Sequence, residues 1–226
     1  REIFVKIAVK HPKPEGVSIM LKAATGLGLS SPPGLSGFAG TRPKPSPVLA
    51  LFSFLISRDR VPITTQINQS KLEELKSPSL HFSKRKRQII MPPKLQKTAV
   101  KKIPLPLIDL AFARSGDKGD KVNIGVISRS EDLYPFLWSV LTENKVKKIF
   151  SHFVKGSVYR YPMPGPGAIN FILDRALGGG GTSSLRNDPQ GKGFSQILLA
   201  TRVLVPENLI LGQGLIKQPN DKMETL

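Results

Sequence analysis

The chain has 226 residues, 39% of them hydrophobic, with 20 Pro, 20 Gly and no Cys. That length suffices for one large or two small domains with real cores. The absence of cysteine excludes disulfides, a thiol nucleophile and thiolate metal sites. The longest apolar passage, residues 48–56 interrupted by Ser53, falls far short of the ~20 residues of a membrane helix. The formal net charge of +18 points to nucleic acid only until it is located. Residues 1–106 hold 19 Lys and Arg against 5 Asp and Glu, whereas residues 107–226 hold 15 against 11.

In chain order, Arg1–Lys10 reads as a strand through Ile3, Phe4, Val5, Ile7 and Val9, and Val17–Lys22 as a short helix. Residues 26–47 form a long Gly/Pro/Ser loop. Residues 48–56 and 61–67 read as two strands around a turn at Ser57–Arg60. Residues 70–104, with Lys84-Arg85-Lys86-Arg87 and Pro92-Pro93, have no period and read as a solvated basic linker. A nuclear-import signal or an anionic-surface contact is the alternative there. Because the chain opens on Arg1 inside an apolar run, with no signal-peptide pattern, it reads as a piece of a longer protein or of an incompletely read gene.

A second unit begins near Pro104. Ile108, Leu110 and Phe112 alternate with Asp109, Ala111 and Ala113, and Val122, Ile124 and Val126 alternate with Asn123, Gly125 and Ile127. Period-2 patterning on both sides predicts two strands flanking a charged loop at 114–121. Leu133, Phe136, Leu137, Val140 and Leu141 predict an amphipathic helix capped by Asp132, with Pro135 in its first turn. Thr142 caps a second helix carrying Val146, Ile149, Phe150 and Phe153. Val158–Tyr161 is a strand on which Tyr159 and Tyr161 share a face as interface or core aromatics. Gly165-Pro166-Gly167 opens a third helix with Ile169, Ile172 and Ala176 inward, stopped at Gly178. Residues 197–205 mix helix and strand character and end as a strand, and the tail after Pro206 is loosely ordered. The pattern predicts a small α+β sandwich.

The charged stretch carries the chemistry. Gly116 and Gly119 allow a sharp turn with exposed N–H groups, an anion-binding concavity. Arg114 can clamp a carboxylate or phosphate, with Ser115 and Asn123 beside it and Lys118 adding a point charge. Asp117 and Asp120 can act as bases, orient the cations or hold a divalent metal. Alternatively Arg114, Asp117, Lys118 and Asp120 pair with one another and lock the turn. Gly178–Gly181 with Thr182, Ser183, Ser184 and Arg186 is either a second anion cradle or a helix stop and turn; it lacks the ending of a nucleotide P-loop. His152 reads as a packed or capping residue. His11, His81 and His152 have no metal-ligand spacing, so a zinc site is not expected, and no metal is assigned to the expected site. There is also no Gly-x-Ser-x-Gly elbow.

Several motifs keep their order with a known family. Residues 114–120, then Asn123-Ile124-Gly125-Val126, Arg160-Tyr161, Gly165-Pro166-Gly167-Ala168-Ile169-Asn170-Phe171, Ala176-Leu177-Gly178-Gly179-Gly180, Ser184-Leu185-Arg186 and Asp188-Pro189-Gln190-Gly191-Lys192 resemble the C-terminal domain of the acyclic terpene utilisation protein A family. Lys6-Ile7-Ala8-Val9, Pro33-Gly34, Gly37-Phe38, Gly40, residues 42–47 and Leu51-Phe52-Ser53-Phe54-Leu55 resemble the end of the same family's large N-terminal domain.

The resemblance implies a remnant of the large domain, a truncated α/β piece, over 1–69 and a ferredoxin-like α+β domain over 105–206; the basic linker over 70–104, which matches no known family, and a tail over 207–226 complete the division. It implies a role in breakdown of acyclic terpenes through coenzyme A thioesters, with no residue assignment and no cofactor beyond a coenzyme A thioester as substrate. Whether the chain is itself an enzyme stays open. The expected site is Arg114, Ser115, Gly116, Lys118, Gly119, Asn123 and Arg186 for ligand binding, with Asp117 and Asp120 as catalytic carboxylates. The expected partners are an anionic or acyl-CoA small molecule, the missing large domain and a second copy in a homo-oligomer; the alternative is a non-catalytic capping module. Nucleic-acid binding through residues 84–102 is the weakest expectation, since few aromatics accompany the basic run. No membrane contact is expected, and the location is intracellular, cytoplasmic or, in a eukaryote, mitochondrial.

Overall fold

The alternation of Val122, Ile124 and Val126 decides the architecture. The computed structural model describes residues 3, 5–31, 33–34, 43–52, 54–68, 70, 73–74, 90–95 and 100–210. In chain order these form helices α1 (Pro14–Thr25) and α2 (Leu27–Ser30), the two-residue strands β1 (Thr64–Thr65) and β2 (Glu73–Glu74), and strand β3 (Lys102–Pro106). Then follow strands β4 (Ala111–Lys118) and β5 (Lys121–Ser128), helices α3 (Leu133–Val140) and α4 (Glu143–Ile149), strands β6 (Val158–Met163) and β7 (Ala168–Leu173), helix α5 (Phe194–Leu199) and strand β8 (Arg202–Pro206). This is an α+β fold. Strands β4-β5-β7-β6 make one antiparallel sheet and β3 pairs with β8 in a separate ribbon.

The register sets Val122, Ile124 and Val126 of β5 beside Leu173, Phe171 and Ile169 of β7, and all six are buried. Helices α3, α4 and α5 pack on that face, against β5, β6 and β4 respectively. Leu133, Phe136, Leu137, Val146, Phe150, Phe194 and Leu198 complete the core, with the Phe150 and Phe194 rings stacked at 5.0 Å. Phe112, Ile127, Tyr159, Tyr161 and Met163 lie on the other face of the sheet and are all exposed there among the described residues.

Several local expectations need correction. The described residues of 1–10 and 48–56 are not strands; Val5, Ile7, Phe52 and Leu55 are exposed and unpaired, and a strand without a partner or a covered face has nothing to hold it. Only Thr64–Thr65 of 61–67 is strand, paired with Glu73–Glu74. Lys102, Ile103 and Pro104, at the end of the expected linker, belong to β3, and residues 71–72, 75–89 and 96–99 of that linker lie outside the described residues. Leu107–Asp109 is a 3₁₀ turn, which breaks the expected alternation so that Leu110 is buried while Ile108 and Phe112 are exposed.

Asp132 stands at the start of α3 in helical geometry and its side chain caps nothing, whereas Thr142 accepts the Lys145 N–H as expected. Residues 168–176 are not a helix. Gly165-Pro166-Gly167 is the β6–β7 turn, with Gly167 at φ +59°, and Ile169, Phe171 and Leu173 alternate inward between two hydrogen-bonded neighbours. Tyr159 and Tyr161 share a face as expected, but not in the core. Residues 207–209 form a 3₁₀ turn and Ile210 is buried, so the chain stays ordered past Pro206; residues 211–226 lie outside the described residues.

Arg160 on β6 closes one end of the core. Its guanidinium lies 3.7 Å from the Trp138 ring centroid and donates to the carbonyls of Trp138 and Leu141, the latter at 3.0 Å. It also pairs with Glu143 at 3.5 Å. These carbonyls are the orphan acceptors at the end of α3. Arg160→Ala leaves them without this donor and is expected to lower stability by about 2 kcal/mol, read as a shift of the urea midpoint. Arg160→Lys, which cannot serve both carbonyls and the ring at once, is expected to restore only part of it.

Candidate functional site

The charged stretch is not a loop. Strand β4 runs through Arg114, Ser115, Gly116, Asp117 and Lys118, and only Gly119 and Asp120 remain as the turn to β5. Gly119, at φ +63°, takes the first of the two turn positions, as tight hairpins require. Because the stretch is a strand, its side chains are sorted by alternation. Arg114, Gly116 and Lys118 belong to the open face; Ser115 and Asp117 belong to the helix-covered face. The expected single constellation is therefore divided.

Ser115 is buried and donates from Oγ to the Lys192 carbonyl at 3.0 Å while accepting the Ser195 N–H at 2.9 Å. It pins the start of α5 to β4. Asp117 is half-buried and has no hydrogen-bond or ion-pair partner among the described residues. Asp120 Oδ1 accepts the N–H groups of Leu177 at 3.0 Å and Gly179 at 2.9 Å, and its backbone carbonyl accepts Ala176 N–H at 2.8 Å. The carboxylate thus holds the glycine run 178–181, all four residues of which have positive φ, against the hairpin turn. Arg186 is engaged likewise: its guanidinium donates to the carbonyls of Ala176 and Phe153, and lies over the Phe153 ring. No ion pair forms within the set Arg114, Asp117, Lys118 and Asp120.

Sequence reasoning missed Lys192 as a member of the site. Asp188 accepts its N–H at 2.9 Å and Ser115 donates to its carbonyl, so its backbone is fixed from both sides. Its ammonium then lies where a side chain on residue 116 would begin, 3.2 Å from a Cβ added to Gly116. Gly116 sits between Arg114 and Lys118 on the open face, so Arg114, Lys192 and Lys118 form one cationic row along the β4 edge. None of the three has an acidic partner among the described residues. The period-2 reading of 114–118 was the available signal for the row, but nothing local places Lys192.

Lys121, opposite Lys118, pairs with Asp174 at 3.0 Å. The hydrogen bond to Asp174 chiefly, then its charge, raises the Lys121 pKa, with Tyr159 and Tyr161 adding smaller contributions. The lysine is therefore charged at neutral pH and stands near both tyrosines. At the centre of the face Asn123 donates to Asn170 Oδ1 at 2.6 Å and to the Phe171 carbonyl at 3.3 Å. His152 is exposed beside the Phe153 ring. Among the described residues no group of three or more His, Asp or Glu side chains could hold a metal, and no helix is long and apolar enough to cross a membrane.

Residues 105–204 match the family model of the AtuA ferredoxin-like domain. No curated protein and no solved structure matches the chain.

Proposed function

We propose, residues 105–204 being an AtuA ferredoxin-like domain, that its open sheet face holds the anionic part of a small ligand, an acyl-CoA thioester or related carboxylate. The observation that carries this reading is the row Arg114, Lys192 and Lys118, with no acidic partner among the described residues. Three like charges held along one strand edge repel one another, and an incoming phosphate or carboxylate relieves that repulsion while Arg114 offers a two-pronged donor. The cellular role that goes with this ligand is acyl-CoA and terpenoid carboxylate breakdown, in the cytoplasm or, in a eukaryote, the mitochondrion. Asp120 and Arg186 serve to build the site rather than to touch the ligand, since their polar atoms are already engaged. Asp117 is the carboxylate left free to act.

Calorimetry of acyl-CoA thioesters against the full chain tests this. Arg114→Ala and Lys192→Ala are each expected to weaken binding about tenfold, the scale of one charge-assisted contact, and more steeply at low salt. Unchanged affinity in both variants would sink the reading.

A non-catalytic assembly module, capping the large domain or joining a second copy of the chain, is the second reading. Its support is the exposed apolar row Phe112, Ile127 and Met163, and two contacts from the first part of the chain to the 177–186 loop. Lys6 Nζ donates to the Arg186 carbonyl at 3.0 Å, and Thr182 donates to the Leu49 carbonyl at 2.7 Å. The mass in solution of the full chain, alone and with Phe112→Ser, separates the two, because a docking face disassembles in that variant while an anion site does not.

A further inference from the structure

Beside the cationic row, the open face carries features that anion binding alone leaves unused. Two rows of residues cross the four strands at matching levels: Arg114, Gly125, Asn170 and Tyr161 in one, and Gly116, Asn123, Ile172 and Tyr159 in the next. With the Lys192 ammonium over Gly116, each row has a cation at the β4 edge and a tyrosine at the β6 edge. Strands lie about 4.8 Å apart, so the two walls stand roughly 14 Å from one another. The floor between them is lowest in the first row, where Gly125 has no side chain and Asn170 is tied to Asn123; in the second row half-buried Ile172 stands beside Tyr159 as an apolar floor.

Gly125 lies inside a central strand, where glycine weakens a sheet. Its φ is not positive, and among the described residues a Cβ there would meet nothing nearer than the Arg114 carbonyl at 4.0 Å. Neither backbone geometry nor packing among the described residues calls for glycine. A strand glycine of this kind fits the close approach of something lying on the sheet.

The tyrosines suggest what lies there. Residues 159 and 161 are two apart on one strand face, about 7 Å, which is twice the ~3.5 Å contact distance of carbon atoms. That is the spacing of a slot for one planar ring. Tyr159 and Tyr161 are 46% and 51% exposed, and neither ring stacks on another among the described residues.

We infer that this trough takes a phosphorylated nucleotide. The base lies against Tyr159 and Tyr161, the ribose over the Asn123–Asn170 pair, and the phosphates on Arg114 and Lys192. Planar π-faces and phosphates are the two groups that tyrosines and unpaired cations recognise together. The inference rests on the anion-binding reading and narrows it: the part of a coenzyme A thioester held here is its adenine nucleotide, so affinity does not depend on the acyl chain.

Calorimetry on the full chain with adenosine 3′,5′-bisphosphate, inorganic pyrophosphate and an acyl-CoA thioester tests it. The bisphosphate is expected to bind and to displace the thioester. Tyr159→Ala and Tyr161→Ala are each expected to weaken both about tenfold and to leave pyrophosphate binding unchanged. Gly125→Val, a residue better suited to a strand, is expected to keep or raise the melting temperature while abolishing nucleotide binding. Should that variant fail to fold, the two tyrosine variants decide alone.

Nucleotide affinity unchanged in the tyrosine variants overturns the inference. If the thioester binds but the bisphosphate cannot displace it, the inference falls and the anion reading stands. If neither the thioester nor pyrophosphate binds, the anion reading falls and takes the inference with it. Affinity climbing steeply with length across a series of oligoadenylates overturns it in favour of single-stranded nucleic acid.

Discussion

Gly180→Ala, at a buried position of the glycine run, is expected to destabilise the protein by about 3–5 kcal/mol. Gly180 has φ +70° and ψ 163°, a combination available almost only to glycine. An added Cβ would also fall onto the Gly119 carbonyl and within 3.0 Å of Asp120 N. Both obstructions are backbone, so no side chain can turn aside. To admit a methyl group the 178–181 run must lift off the hairpin turn, and the Asp120 bonds to Leu177 and Gly179 must lengthen or break with it. Urea unfolding followed by circular dichroism reads the loss. Gly181→Ala is the comparison: its φ of +45° is also unfavourable, but nothing lies within 4 Å of the added Cβ, so about 1 kcal/mol is expected. Equal effects at the two positions would mean that the hairpin and the glycine run are not locked.

What could be read from the sequence was local, and what escaped was long-range. The faces of β5, the apolar stripe of residues 133–141 and the Thr142 cap follow from spacing within a few residues, and all three are present. Residues 168–176 satisfied two periods at once: Ile169, Ile172 and Ala176 suit a helix, while Ile169, Phe171 and Leu173 suit a strand. A short apolar run cannot settle that by itself. Pairing with β5 on one side and β6 on the other did. The charged stretch read as a loop because polarity suggests turns, yet β4 is an edge strand with one face open, where charge is tolerated.

That difference divided the expected site. A loop can converge six polar side chains on one point; a strand sends alternate ones to opposite faces. Arg114 and Lys118 went outward, Ser115 and Asp117 inward, and Asp120 into the junction with residues 177–179. Lys192 joined the outward cations from far along the chain, held by Ser115 and Asp188. Its placement depends on how α5 docks against β4, which no short motif encodes.

The graded response of Asp120 variants is the sharpest check on its role. The carboxylate accepts two N–H groups, one of them from Leu177, whose side chain is fully buried. Asp120→Ala removes the acceptor for both and is expected to cost about 3 kcal/mol, since a charge-assisted hydrogen bond contributes ~1.5–3 kcal/mol and a buried N–H left unpaired adds to the loss. Asp120→Asn keeps an oxygen of the same reach without the charge, and about 1–2 kcal/mol is expected. If the Asp120 carboxylate instead acted on a ligand, both variants would abolish activity or binding with the unfolding midpoint unchanged. The order wild type, Asn, Ala in urea midpoint, matched by increasing hydrogen exchange at Leu177 and Gly179, identifies Asp120 as the residue that fixes the glycine run. A flat midpoint across the series would return it to the list of groups free to do chemistry, beside Asp117.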